Sequence, residues 1–220
     1  MLKNPKHAFW QAFFLVVVVF IFGLFIGIAF EGNKVNEIND YYVLSEISLM
    51  DAFTLNSLVV SDLDYANCDI LIDSHLEFAD RIYEEAYLLE QYEDSGKITD
   101  GFRLAHKKYD LLRTLLWINL MKMPEECKES LSTVVYLYEY ETDDLVQKAT
   151  QKVWSKVLFD LKQEKGKEVI LIPIAADSDL TSLNSLLDKF EISEFPIIVI
   201  NEKKIINELS SVEDLEMYLE

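Results

Sequence analysis

The fold is decided by residues 168–200, which read EVILIPIAADSDLTSLNSLLDKFEISEFPIIVI. Residues 168–175 form a nearly unbroken apolar run, which is typical of a strand covered on both faces of a sheet. Residues 180–190 predict a helix, and residues 196–200 predict a second strand. A strand, a helix and a strand in this order indicate an α/β fold.

The segment upstream extends this pattern by one strand and one helix. Residues 133–140, TVVYLYEY, are β-branched and aromatic, so they predict a strand. A long helix is expected from about Asp143, with Gly166 just past its end. The residues expected on the apolar face of that helix are Val146, Ala149, Val153, Val157 and Leu161.

The segment downstream completes the unit. After a tight turn, residues 204–209 predict a strand and residues 212–219 a last helix, capped by Ser210 or Ser211. The whole order is strand, helix, strand, helix, strand, turn, strand, helix. We therefore expect an α/β domain over residues 130–220 with a central mixed sheet of about four strands.

This order of elements resembles the thioredoxin-like fold superfamily over residues 130–220. The stretch Ala176–Pro196 carries the resemblance, with a strand end, a short helix and a proline that opens the next strand. The resemblance implies that the peptide bond between Phe195 and Pro196 is cis. The segment His106–Cys127, running into the first predicted strand, is also similar to uncharacterised membrane-anchored archaeal proteins, and this similarity implies no function.

Redox members of this superfamily carry C-x-x-C where the first strand meets its helix. Here that junction follows Tyr140 and reads Glu141, Thr142, Asp143, Asp144. Disulfide exchange requires a thiolate, which neither a hydroxyl nor a carboxylate can replace. The resemblance therefore implies a domain without redox activity at the usual site and without a cofactor. We expect Thr142 or Asp143 to cap the long helix instead.

A helical hairpin is predicted before the α/β domain, over residues 67–128. Residues 70–92 and 99–123 have helical spacing, and a polar turn with Thr99 as N-cap separates them. Residues 31–66 are expected to be a partly helical connector. The residues expected on the apolar stripe of the first helix are Ile72, Leu76, Ala79, Ile82 or Tyr83, Ala86 and Leu89.

The chain has two cysteines, and they flank this hairpin. Cys68 precedes the first helix and Cys127 follows the second, so folding about the turn brings them together. In an oxidising compartment this predicts a disulfide. Two unrelated buried thiols, or a reactive pair, are the alternatives. A thiol-disulfide oxidoreductase or isomerase using Cys68 and Cys127 is accordingly the second hypothesis for function.

A membrane anchor is predicted at residues 8–30, where Gln11 is the one clearly polar residue. A helix of this length covers about 34 Å, enough to cross a hydrocarbon core of about 30 Å. A cleaved signal peptide is the alternative, although its apolar region should be shorter and followed by small residues. Gly23 and Gly27 form a G-x-x-x-G motif, which predicts a weak tendency to form a homodimer.

The charges around this segment predict its orientation. Lys3 and Lys6 precede it, whereas Glu31, Lys34 and other charged residues follow it. The positive-inside rule favours a cytoplasmic N-terminus, residues 1–7, and an extracytoplasmic C-terminal domain in the cell membrane. The net charge of −19 argues against binding to nucleic acid, which requires a basic surface.

No pattern indicates a metal site. His7, His75 and His106 are scattered along the chain and are expected at the surface or packed in the hairpin. Asp177 and Asp179 lack the glycine and the later acidic ligand of a calcium loop, so we expect them to cap a helix.

Tyrosines are the remaining candidates for a binding surface. Tyr136, Tyr138, Tyr140 and the region 83–92 either form an aromatic surface for a ligand or simply pack in the sheet and core. With the redox position vacated, the leading hypothesis for function is binding or scaffolding of a protein or peptide near the membrane.

Overall fold

The structure is a computed structural model, and it describes residues 9–27, 47, 50, 51, 54, 68–93 and 100–219. Side chains are described at these positions except at 84–93 and 100–102. The chain divides into two units, residues 1–44 and 45–220. The predicted N-terminal segment 1–7, His7 within it, most of the connector 31–66 and the cap Thr99 lie outside the described residues.

The first unit contains helix α1, Phe9–Gly27, with a mean hydropathy of 2.6. None of its most apolar stretch is buried within the protein. Its 19 residues span about 28 Å, close to the thickness of a hydrocarbon core. Of the described helices, α1 is the one long and apolar enough for a membrane anchor or a signal sequence. Pairing of two chains through Gly23 and Gly27 stays a prediction.

The second unit begins with helices α2, Cys68–Glu93, and α3, Asp100–Met121, which pack against each other. A short helix, α4, follows at Glu125–Lys128. The predicted disulfide between Cys68 and Cys127 is present, with 5.1 Å between the two Cα atoms. Because it joins the start of α2 to α4, directly after the end of α3, the two long helices run antiparallel.

The buried face of α2 differs from the predicted stripe. Leu76 and Ile82 are buried as predicted, but Leu71 and Phe78 are also buried, whereas Ile72 and Ala79 are only half-buried. The reason is that α2 contacts α3, α4 and β2, so its buried face is broader than one stripe and takes the largest side chains. On α3, Tyr109, Leu112, Leu116 and Asn119 are buried.

The α/β part has the predicted order of elements. Its strands and helices are β1 Ser132–Tyr138, α5 Leu145–Lys165, a 3₁₀ turn Gly166–Glu168, β2 Val169–Ala175, α6 Thr181–Lys189, β3 Ile197–Ile200, β4 Lys204–Ile206 and α7 Val212–Glu216. Ser211 caps α7, and its hydroxyl accepts a hydrogen bond from the N–H of Asp214.

The four strands form one mixed sheet, as predicted, and their order in it is β2-β1-β3-β4. Strands β1 and β2 are parallel, with Ser132 opposite Val169 and Tyr138 opposite Ala175. Strand β3 is antiparallel to β1 and to β4. The edge strand β2 lies next to the hairpin, because α2 and α3 both contact it.

Both faces of the sheet are covered, as the apolar run at 168–175 predicts. One face packs on α5 and α7, and its core is formed by Val134, Tyr136, Trp154, Leu158, Ile198 and Leu215. Alternate strand residues face the other side, where α3 and α6 cover them. There Trp117 of α3 stacks on Phe190 at the end of α6, with 5.3 Å between ring centroids.

The apolar face predicted for α5 is wrong in most positions. Val146 is 74% exposed and Val153 is 44% exposed, whereas Trp154, Leu158 and Leu161 are buried. Both faces of this helix carry apolar residues, and the face with the larger side chains packs on the sheet, since it removes more apolar surface from water.

Candidate functional site

Asp144 caps α5 at the junction between β1 and that helix. Its Oδ1 accepts hydrogen bonds from the main-chain N–H groups of Val146 at 2.8 Å and Gln147 at 3.4 Å. A helix start leaves such groups without partners, so an acidic cap stabilises it. The prediction that Thr142 or Asp143 caps this helix is wrong, because Thr142 directs its hydroxyl to the side chain of Gln147.

Gln147 connects the junction to the start of β3. Its Oε1 accepts a hydrogen bond from the hydroxyl of Thr142 at 2.6 Å. Its Nε2 donates to Oε2 of Glu139 at 2.9 Å and to the carbonyl oxygen of Phe195 at 3.2 Å. The side chain of Gln147 therefore joins the junction to the residue before Pro196. The peptide bond between Phe195 and Pro196 is cis.

Asp177 holds the chain where it leaves β1. Its two carboxylate oxygens accept hydrogen bonds from the N–H groups of Tyr140 at 2.9 Å and Glu141 at 2.8 Å. The prediction that Asp177 and Asp179 cap the next helix is wrong, because Leu180 occupies the N-cap position of α6 and no side chain caps it. The N–H groups beyond the end of β1 need acceptors, and Asp177 supplies them.

The junction is therefore closed by its own side chains. Glu141, Thr142, Asp143 and Asp144 lie together there as the sequence places them, and the chain has no cysteine near them. Thr142 is buried, and Glu141 forms an exposed ion pair with Arg103 at 3.0 Å. This arrangement provides stabilising hydrogen bonds and no nucleophilic sulfur.

The disulfide lies at the opposite end of the sheet. Cys127 is buried, and the chain enters β1 a few residues after it. The seven residues of β1 span roughly 23 Å between that end and the junction. The two cysteines therefore cannot replace the sulfur that is missing from the junction.

A cavity of about 530 Å³ lies between the hairpin, α5 and the outer part of the sheet. Among the residues that line it are the five tyrosines Tyr83, Tyr109, Tyr136, Tyr138 and Tyr140. The rings of Tyr136 and Tyr138 stack with 5.4 Å between centroids. Both interpretations of these tyrosines are therefore partly right, since Tyr136 belongs to the core and also faces the cavity.

Hydrogen bonds and ring contacts fix the position of these side chains. The hydroxyl of Tyr136 donates to the carbonyl oxygen of Gln151 at 3.1 Å, and burial raises the pKa of this phenol, so it stays protonated. His106 lies against Tyr140, with 4.4 Å between ring centroids. The aromatic wall is thus largely in place before a ligand arrives.

Arg113 and Asp110 form a buried charged pair at the cavity wall, on α3. Arg113 lines the cavity and is 6% exposed, and Asp110 is 1% exposed. Oδ1 of Asp110 accepts a hydrogen bond from the N–H of Ala175 at 3.0 Å, and Nη1 of Arg113 lies 3.7 Å from the same oxygen. Among the described residues, Nε of Arg113 and Oδ2 of Asp110 have no hydrogen-bonding partner.

The charge of Asp110 is sensitive to this environment. Burial raises its pKa to about 6, although Arg113 and the N–H of Ala175 act in the opposite direction. Lys162 also lines the cavity and donates to the carbonyl oxygens of Gly166 and Val169, both at 2.8 Å. Burial lowers the pKa of Lys162, while Asp80 opposes that shift.

His75 and His106 are the two histidines whose positions the structure describes. No cluster of three or more potential metal ligands occurs among the described residues. His75 is fully buried in α2 and its ring nitrogens have no partner among these residues, so burial lowers its pKa to about 4. His106 packs in the cavity wall, and the two rings lie on different helices.

Sequence reasoning did not find the pair Asp110 and Arg113. The signal was present, because a carboxylate and a guanidinium three residues apart fall among the buried Tyr109, Leu112 and Leu116. Charged residues on an apolar helix face are almost never fully buried unless they are paired or functional. That rule would have singled out this pair.

Comparison with known proteins gives little further information. No protein-family model and no curated protein matches this chain. A solved structure described as "Structure of a malarial protein" is similar at 19% identity, over 40% of this chain and 93% of that one. The TM-score is 0.32, which does not establish a shared fold.

Proposed function

We propose that this protein is a membrane-anchored, extracytoplasmic domain of thioredoxin-like fold that lacks redox activity and binds a protein or peptide. The observation that carries the proposal is the closed junction between β1 and α5. There Asp144 and Asp177 accept hydrogen bonds from the main chain, Gln147 bonds Thr142, and no cysteine is present. Thiol chemistry has no means of operating at such a junction.

The order of elements supports the thioredoxin-like assignment. The resemblance implies a strand, a helix and a strand, followed by a helix, two more strands and a closing helix, and β1 to α7 follow this order. Pro196 directly precedes β3, as the resemblance implies for the proline that opens this strand.

The anchor and its orientation rest on α1 and the charges that flank it. Helix α1 has the length and hydropathy of a membrane span, and Lys3 and Lys6 precede it. The disulfide fits an oxidising compartment outside the cytoplasm. Adding a protease to intact cells tests the orientation. We expect cleavage of the C-terminal domain, and its protection until the cells are lysed would contradict the proposal.

A binding function is supported by the cavity. A concave site of about 530 Å³ with an aromatic wall falls within the size range of ligand sites in proteins. Tyrosine provides a large contact area at a low cost in conformational entropy, and it is enriched where proteins bind one another. Crosslinking in native membranes followed by mass spectrometry should return a recurrent partner, and its absence in repeated experiments would count against the proposal.

The alternative is a thiol-disulfide oxidoreductase that uses Cys68 and Cys127. The attacking thiolate needs access to a sulfur, and access to this disulfide is restricted, because Cys127 is 1% exposed and Cys68 is half-buried. An insulin-reduction assay separates the two hypotheses. We expect no turnover above the rate with dithiothreitol alone, and turnover that is lost in the Cys127→Ser variant would support the enzyme.

A further inference from the structure

The cavity contains a positive charge that the described residues leave incompletely bound. The guanidinium of Arg113 has five N–H donors, and its ion-pair contact with Asp110 is 3.7 Å long, beyond hydrogen-bonding distance. Nε of Arg113 has no acceptor among the described residues. A buried guanidinium is strongly disfavoured without acceptors, so Arg113 at this wall indicates a missing anionic oxygen.

Asp110 does not fill that role in this structure, because Nη1 of Arg113 lies 3.7 Å from its Oδ1 and its Oδ2 has no hydrogen-bonding partner among the described residues. Its Oδ1 is used by the N–H of Ala175, the last residue of β2, at 3.0 Å. Asp110 therefore fixes α3 to the edge of the sheet and positions Arg113 one turn further along the helix. A planar carboxylate that enters the cavity offers two oxygens in the geometry that a guanidinium prefers.

The local charge also favours an anion, in contrast to the chain as a whole. The chain has a net charge of −19, but among the described residues the cavity lining carries Arg113, Lys152 and Lys162 and one carboxylate, Asp80, with Asp110 buried beside Arg113. Positive groups that converge in a partly desolvated site attract a negative ligand more strongly than the same groups do in water.

The aromatic wall defines the rest of the ligand. Tyr136 and Tyr138 present stacked rings, and Phe159 of α5 adds an apolar side chain to the lining. An apolar or aromatic side chain next to the carboxylate would pack on these ring faces. Its transfer out of water into the cavity is favourable. The ligand that fits this site thus combines one anionic end with one apolar body.

The edge of β2 completes the site for a peptide. Leu171 and Pro173 line the cavity, and β2 is the outermost strand of the sheet. Main-chain groups alternate along a strand, and the N–H of Ala175 points away from β1 toward the hairpin, so the N–H of Leu171 points to the same side, where Leu171 lines the cavity. A peptide main chain placed along Leu171 can therefore form hydrogen bonds with the strand.

We propose that this cavity binds the C-terminal carboxylate of a peptide whose last residues are apolar or aromatic, with Arg113 as the partner of the carboxylate. This inference rests on the proposed function and names the ligand class that it requires. The same chemistry, a carboxylate on an apolar body, also occurs in small aromatic acids, and the experiment includes both sources.

The test uses the full-length protein in detergent micelles and fluorescence anisotropy. The probe is the peptide Gly-Ala-Leu-Phe with an N-terminal fluorescein, prepared with a free carboxylate and with a C-terminal amide. We expect saturable binding of the free acid and at least tenfold weaker binding of the amide. Unlabelled 3-phenylpropanoate is the competitor that represents small aromatic acids.

A double variant, Arg113→Met with Asp110→Asn, assigns the carboxylate to its partner. Removing both charges leaves no single buried charge, and an asparagine can still accept the hydrogen bond from Ala175. We expect the free acid to bind this variant as weakly as the amide binds the wild type. Arg103→Met is the matched control, because Arg103 is on the same helix but its side chain is 60% exposed, and it should change nothing.

Each result decides the inference. Equal binding of acid and amide would overturn the assignment of the carboxylate while leaving peptide binding intact. Binding of 3-phenylpropanoate that depends on Arg113, without binding of either peptide, would support the carboxylate site but contradict the proposed peptide function. If neither the peptides nor the acid binds at millimolar concentration to protein with a cooperative thermal transition, the inference is wrong.

Discussion

The junction between β1 and α5 and the tyrosine cavity lie on the same α/β unit. Their polar groups differ in whether they have hydrogen-bonding partners. At the junction, the side chains of Gln147 and Asp177 have hydrogen-bonding partners within the fold. In the cavity wall, Arg113 and Asp110 are almost completely buried and keep polar atoms without a partner among the described residues.

This difference indicates where the protein acts. A site whose polar groups already have hydrogen-bonding partners within the protein gains nothing from a ligand, because any new hydrogen bond replaces an existing one. A buried charge with unused donors gains the full interaction when a ligand supplies the acceptor. The side chains at the junction therefore have a structural role, and the cavity beside the hairpin has the unused binding capacity.

The largest expected effect concerns the disulfide, because it holds the hairpin that forms one wall of the cavity. Replacing both cysteines, Cys68→Ala with Cys127→Ala, should lower the free energy of unfolding by roughly 4 kcal/mol, since the bond closes a loop of about sixty residues. Urea denaturation of the protein in micelles measures this loss. The wild type under reducing conditions is the control and should show a similar loss.

The comparison predicts that this change affects the cavity more than the junction. Peptide binding should weaken in the double cysteine variant, whereas hydrogen exchange of the amides at residues 144–147 should stay close to that of the wild type. Equal loss of protection in both regions would mean that they are not separable in the way proposed.

Acid titration of stability distinguishes two buried groups of the hairpin. The folded pKa of His75, about 4, lies below its ordinary value of 6.5, so its contribution to stability is present above pH 6.5 and is lost as pH falls toward 4. The folded pKa of Asp110, about 6, lies above its ordinary value of 3.8, so its contribution to stability is present below pH 3.8 and is lost as pH rises through 6. Each effect is on the order of 3 kcal/mol.

Two variants separate these opposing effects. As pH is lowered from 7 to 4, the free energy of unfolding of the His75→Leu variant should rise. Over the same change, that of the Asp110→Asn variant should fall, and more steeply than that of the wild type. Urea denaturation at the two pH values measures both slopes. Identical slopes in the two variants would contradict the burial of one or both groups.

Removing the side chain that closes the junction should have a moderate effect on stability and none on binding. Gln147→Ala deletes three hydrogen bonds, to Thr142, Glu139 and Phe195, and should cost about 2 kcal/mol. Gln163→Ala is the matched control, because Gln163 is an exposed residue of α5 that lines the cavity. It should change the free energy of unfolding by less than about 0.5 kcal/mol.

The smallest effect is expected for the ion pair at the rim of the junction. Arg103 and Glu141 are 60% and 57% exposed, so Glu141→Gln should change stability by less than about 1 kcal/mol. Peptide affinity should also be unchanged at low and high salt. A large loss in either measurement would mean that this exposed rim belongs to the binding site.

The sequence predicted the sheet well because its strands carry strong local signals. Apolar runs such as 168–175 and 196–200 specify buried strands wherever they occur, and turn residues separate them. The end of β1 was not predictable in this way. Tyr140 continues the β-branched and aromatic pattern, but its N–H bonds to Asp177, thirty-seven positions further along the chain.

The buried faces of the helices were harder to predict, because they too depend on contacts between residues that are distant in the sequence. The choice between Val153 and Trp154 on α5 depends on which side the sheet lies, and periodicity alone gives two acceptable apolar faces. The cavity also depends on tertiary packing, because its wall combines Tyr83 of α2, Arg113 of α3 and Tyr138 of β1. A pattern along the chain does not contain that proximity.

Photo-crosslinking in membranes tests the central claim most directly, because it reports which of the two regions holds the ligand. The probe is Gly-Ala-Leu with a C-terminal p-benzoylphenylalanine and a free carboxylate, and adducts are mapped by mass spectrometry. We predict adducts on residues 151–163 of α5 and on Tyr138, abolished by an excess of unlabelled free-acid peptide. Competed adducts confined to residues 141–147 and Pro196 would contradict the account.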